Sequence, residues 1–264
     1  MLDVAPAGRV HVVPEYAASL YRDPFAHRHI MVGRDSQTDV AVMVFGTSAY
    51  TQCAFGAPCF ALDVAPNGPP NGGVEHLTHF NCAAIRRVPL ARLGNPRGVL
   101  PPDYLWALRR RISAGMSTSG RATSGAGERG AIARLTKVGH DYFHTEYAVI
   151  LTTAAYAARE QEHVVVPIYD MRLTTVQELP SDWLRFPALW GKQITGHLGS
   201  VEFAGSPADV ASVRTTDHIA QVFPQRLTTA QLDLITDGVA RFLGLHHGAQ
   251  ADENGVYLAA CPHQ

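Results

Sequence analysis

Arg28 lies between two histidines, His27 and His29, at the head of an apolar run, Ile30 to Val32. A guanidinium forks onto two phosphate oxygens and imidazoles exchange protons near neutral pH, so this triplet carries parts for phosphoryl chemistry. If a strand begins at His27, alternation puts both histidines on one face and Arg28 on the other. Thr47 and Ser48 close a second apolar run and offer hydroxyl donors. Arg86-Arg87 and Arg109-Arg110-Arg111 concentrate positive charge, which holds phosphates electrostatically or simply makes a solvated face. Tyr50 and Phe55, in the loop after Thr47, stack on bases or plug a small core. His76, His79 and Cys82, with Cys53 and Cys59, match no common zinc module, and residues three apart on a strand alternate faces. Neither a metal nor a cofactor is expected. No paired-carboxylate cluster suggests a two-metal nuclease, and a Gly-x-x-x-x-Gly-Lys-Ser/Thr phosphate loop and a Gly-x-Ser-x-Gly elbow are missing from the sequence.

Short strands must position these groups. Alternation and apolar runs predict strands at Arg9 to Val13, Ile30 to Val32, Val40 to Phe45 and Cys59 to Val64. A helix follows Leu100-Pro101-Pro102, with Leu105, Leu108 and Ile112 on its apolar stripe. The pattern then recurs: Ala131 to Val138, Tyr147 to Thr152, Val164 to Ile168 and Val201 to Ala204, before a run from Val213 to Val222 that breaks at Pro224. A second helix carries Leu232, Leu234, Ile235, Val239 and Phe242, with Thr228 or Thr229 as its N-cap. Val88-Pro89-Leu90-Ala91-Arg92-Leu93 echoes Val222-Phe223-Pro224-Gln225-Arg226-Leu227, which reads as a duplicated domain. The expected division is a first copy at 1–116, a Ser/Gly/Thr-rich linker at 117–130, a second copy at 131–245 with an insertion at 170–199, and a tail at 246–264. The fold class is mainly β with terminal helices (α+β), as two small barrels.

Composition bounds the function. A chain 17% charged and 46% apolar is ordinary for a globular protein, and no apolar run is long enough for a membrane span. The N-terminus has an acidic residue early and no apolar h-region, and four cysteines make no dense framework, so the cytoplasm is the expected location. Residues 1–127 hold 12 Lys/Arg against 8 Asp/Glu (net +4) and residues 128–264 hold 10 against 15 (net −5), which together give the chain's −1. A polyanion such as RNA would be gripped by the first half.

The order of motifs resembles the MazF/PemK family, the small RNA-cleaving toxins of bacterial toxin–antitoxin pairs. Arg28-His29-Ile30-Met31-Val32 is similar to the family's Arg-Pro-Ala-Val-Val strand, with His for Pro, and Val44-Phe45-Gly46-Thr47-Ser48 to its Val-Pro-x-Thr-Thr strand end, with Phe for Pro. Glu146 to Thr152 and Val165 to Tyr169 sit at the same places in the second copy, where Glu146 takes the arginine position and Tyr169 the threonine position. The resemblance implies two SH3-like barrels of the MazF/PemK/CcdB type, arranged as an intramolecular pseudo-dimer. It implies metal-independent cleavage of single-stranded RNA by 2′-OH attack, with Arg28 and Thr47 at the catalytic positions and His29 and Ser48 beside them. Arg86, Arg87, Tyr50 and Phe55 would then bind the RNA, and a small antitoxin protein would be a partner. One active site is expected, in the first copy.

The His29 and Phe45 replacements also suit a scaffold that has stopped cutting. That alternative is a non-catalytic RNA- or protein-binding protein of the same fold, or a CcdB-like toxin aimed at gyrase. Inhibition of supercoiling would reveal the latter.

Overall fold

Thirteen short strands and two helices are present among the residues described by the structure, a computed structural model: 7–13, 27–35, 39–47, 59–62, 73–117, 129–136, 145–152, 162–172, 183–186, 194, 202–214 and 218–244. The protein is mainly β, with two antiparallel sheets. It divides into one unit of residues 1–117 with 240–264 and another of residues 118–239.

In the first unit the strands are β1 (Arg9–Val13), β2 (His27–Asp35), β3 (Val40–Thr47), β4 (Cys59–Leu62), β5 (Thr78–Pro89) and β6 (Gly98–Val99), followed by helix α1 (Pro102–Ser117). The sheet order is β4-β5-β3-β2-β1-β6. The second unit holds β7 (Ala131–Leu135), β8 (Tyr147–Ile150), β9 (Glu162–Asp170), β10 (Leu184–Phe186), β11 (Phe203–Gly205), β12 (Ala211–Arg214) and β13 (Ile219–Arg226), then helix α2 (Thr229–Phe242) up to Val239. Its order is β10-β11-β9-β8-β7-β13, with β12 also on β9. Strand for strand this is the first sheet again, with β11 and β12 sharing the place of β5.

Backbone details repeat as well. Gly8 and Gly130, both at positive φ (92° and 84°), donate to Met31 O and Ile150 O at 2.7 Å. Glycine tolerates this backbone, whereas a Cβ would be strained there. Leu100 N–H bonds Gly8 O and Leu227 N–H bonds Gly130 O, at 2.8 and 2.9 Å. Leu100 therefore matches Leu227, and α1 matches α2.

This equivalence corrects the expected repeat register. Val88 lies in β5, paired with β3, whereas Val222 lies in β13, paired with β7. Their similar sequences occupy different places in the sheets. The run Val213 to Val222 is likewise two strands with different partners, β12 on β9 and β13 on β7. Pro224 does not break β13. The strand ends the sheet, and its register shifts between Val222 and Arg226, so the missing N–H costs no ladder bond. The supposed insertion supplies β10, the counterpart of β4.

Most of the apolar positions picked out by periodicity are buried, but Leu234, expected on the second helix's stripe, is not. Leu108 and Ile112 of α1 are buried, as are Leu232, Ile235 and Val239 of α2, while Leu234 points outward at 54% exposed. Thr228 is the N-cap of α2: Gln231 N–H donates to its Oγ1, and Thr228 N–H donates to Gln231 Oε1. This reciprocal pairing satisfies two donors at the helix start. No helix among the described residues is long and apolar enough to cross a membrane.

One ion pair is fully enclosed in the first unit. Arg87 Nη2 lies 2.9 Å from Asp35 Oδ2, with both side chains under 10% exposed. Removing one partner strands the other charge out of water. Asp35→Ala is expected to destabilise the first unit by about 3–5 kcal/mol, seen as an earlier urea-unfolding midpoint.

A candidate anion site at the ends of β2 and β3

Antiparallel pairing brings distant residues to one end of the first sheet. Arg28 at the start of β2 stands opposite Gly46 near the end of β3, and Thr47 stands opposite His79 at the start of β5. The segment leading into β5 is held down at Gly73, where φ is 72° and an added Cβ would lie 2.2 Å from Arg97 O. Only glycine allows that approach. Arg97 N–H in turn bonds Val10 O at 2.8 Å, tying the segment to β1. Thr78 Oγ1 donates to His76 O at 2.9 Å and shapes the turn before β5.

The result is a pocket of about 350 Å³ lined by Val12, His27, Arg28, Gly46, Thr47, Glu75, His76, Thr78 and Arg97. Two guanidinium groups and two imidazoles face one carboxylate, so the lining favours anions. Arg28 is the anchored member, its side chain 14% exposed, and its Nη2 lies 3.1 Å from Glu75 Oε1. The Glu75 side chain is 78% exposed. Thr47 is buried at the pocket wall.

Of the residues singled out in the sequence, Arg28 and Thr47 meet here. His29 does not serve as expected. It is buried against Phe45, with ring centroids 5.4 Å apart, and its Nδ1 donates to His27 O at 3.1 Å. Its Nε2 is enclosed without a hydrogen-bond partner among the described residues. Burial pushes its pKa down to about 3, helped by the nearby charge of Arg86. A neutral, enclosed imidazole cannot shuttle protons at pH 7.

Arg86 and Arg87 are not solvent-facing phosphate holders either. Arg86 is buried with its guanidinium 5.6 Å from the Phe45 ring centroid, and Arg87 is spent on Asp35. Within α1, Arg109 donates to Val32 O and Arg110 stacks on Trp106. Ser48, Tyr50 and Phe55 lie outside the described residues. Cys82 is buried, with its thiol pushed up to about 12, and no group of three or more potential metal ligands converges among the described residues.

Glu75, Thr78 and Arg97 had no signal in the sequence, since each joins the pocket only through pairing or the close approach at Gly73. His76 was visible only as part of a ligand-like spacing. The structure separates it from His79, because β5 begins between them and carries His79 into the interior.

Ladder positions show what the second unit holds instead. Tyr147 takes the place of Arg28, one residue beyond the expected Glu146, and Ala148 that of His29. Tyr169 replaces Thr47, as expected, and Phe203 replaces Thr78. Ala211 and Ser212 replace Arg86 and Arg87, and Pro224 replaces Arg97. All four arginines are gone. Aromatic groups fill the region: Tyr147 packs edge-on to Phe203 at 5.6 Å, while Tyr169 lies against Trp183 at 5.2 Å and donates to Asp209 at 3.1 Å.

No protein-family model matches the chain, and no curated protein matches it.

The buried histidines make stability depend on pH. His29 falls from the ordinary 6.5 to about 3, and His163 of β9 falls to about 4, both chiefly through burial. Between those values and pH 6.5 the unfolded chain binds protons that the folded chain refuses. Stability is therefore full above pH 6.5 and declines on acidification, by about 1.4 kcal/mol per pH unit per histidine. Urea midpoints at pH 7 and pH 5 should show this drop, and His29→Leu should make it shallower.

Proposed function

We propose that the chain is a metal-independent endoribonuclease acting on single-stranded RNA, with one active site, the pocket at Arg28. The observation that carries this reading is an anchored guanidinium in an open, cation-rich pocket beside a hydroxyl and two imidazoles. The ribose 2′-OH attacks the adjacent phosphorus, the 5′-oxygen leaves, and a 2′,3′-cyclic phosphate and a 5′-hydroxyl result. Arg28 pairs with the non-bridging oxygens as their charge grows, and the Thr47 hydroxyl donates to the same group. His27 and His76, the imidazoles on the wall, take the 2′-OH proton and return one to the leaving oxygen. The loss of all four arginines in the second unit supports a single site.

In this reading each unit is an SH3-like barrel of the MazF/PemK/CcdB type, and the tandem chain is a pseudo-dimer. A small antitoxin is its natural partner. The repeated strand order and the closing helix of each unit support that finer assignment. A second reading draws on the withdrawal of His29, Arg86 and Arg87 into the interior: a protein that binds RNA without cutting it.

Incubation with a long single-stranded RNA in EDTA should yield discrete cuts with cyclic-phosphate ends. Arg28→Ala should lower the rate at least about 100-fold. Bound but intact RNA with the folded wild type would support the second reading instead.

A further inference from the structure

The Arg28–Glu75 pair is lopsided. The guanidinium is largely withdrawn from water and needs an anion, whereas the carboxylate is mostly hydrated and loses little by leaving. A carboxylate and a phosphodiester present the same feature to a guanidinium, two oxygens sharing a negative charge. The backbone that carries Glu75 is held in place: Gly73 lies under Arg97 O, Val74 is buried, and Thr78 holds His76 O. The side chain alone is left to move.

We propose that the Glu75 carboxylate is an internal occupant of the phosphodiester subsite at Arg28, displaced by side-chain rotation when the ligand's phosphate arrives. The chain thus competes with its own ligand and weakens its hold on any single phosphate. This rests on reading the pocket as a phosphodiester site. Glu75 determines affinity and takes no part in bond making.

The test uses the full chain and a 2′-deoxy oligonucleotide, which has no 2′-OH and stays intact. Binding is measured by calorimetry for the wild type, Glu75→Gln, Arg28→Ala and the double variant, with RNA cleavage by the wild type followed in parallel. Glu75→Gln should bind tighter, on the order of fivefold, and Arg28→Ala should abolish that gain. Such a gain supports the inference whether or not RNA is cut. Equal or weaker binding by Glu75→Gln, with RNA still cut, overturns the inference and leaves the nuclease reading standing. A gain that survives in the double variant assigns the effect to general charge and overturns it too. No binding by any variant overturns the inference, and if RNA is also left uncut it overturns the nuclease reading with it.

Discussion

Taking a guanidinium out of water is costly unless its charge is compensated, and the first unit sets a carboxylate against two such groups in two different ways. Arg87 has Asp35, and both partners are enclosed, so the pair is permanent. Arg28 has Glu75, whose carboxylate stays in solvent, so that pair is exchangeable. The same chemistry therefore makes a structural fixture at one end of β5 and a candidate site at the other. What separates the two is access, governed by where β2, β3 and β5 end.

The paired units show how little of the scaffold depends on the pocket. Val10, Ile30 and Val44 in one sheet correspond to Ile132, Val149 and Val166 in the other, and all six are buried. Aliphatic volume is conserved where the sheets pack, while the charged positions have turned aromatic, small or cyclic. In their place Tyr147, Phe203 and Tyr169 occupy the region with ring contacts and one partly buried hydrogen bond. The packing that folds each sheet and the groups that line the candidate site are separable.

The sequence revealed elements better than it revealed neighbours. Periodicity found both helices and most of the strands, since alternation and three- to four-residue stripes follow local geometry, but it ran β12 and β13 together and offered no strand at β6 or β10. It narrowed the N-cap of the second helix to Thr228 or Thr229 because capping is local too. It misjudged Pro224, whose tolerance depends on β13 being a sheet edge, and it aligned Val88 with Val222 because similar residues can serve different partners. In the site, Arg28 and Thr47 were legible as types next to strand ends. The burial of His29, Arg86 and Arg87 was not, because a strand's pattern does not say which face another segment will cover. Glu75 and Arg97 meet Arg28 only through the close approach at Gly73, a contact without local signature.

Tyr147 at the ladder position of Arg28 has a meaning for inheritance. In an assembly of two identical chains, any substitution appears twice, so a site cannot be lost on one side and kept on the other. Two units encoded in one chain are free of that symmetry. One can hold its arginines while the other trades them for packing, and each change is selected separately.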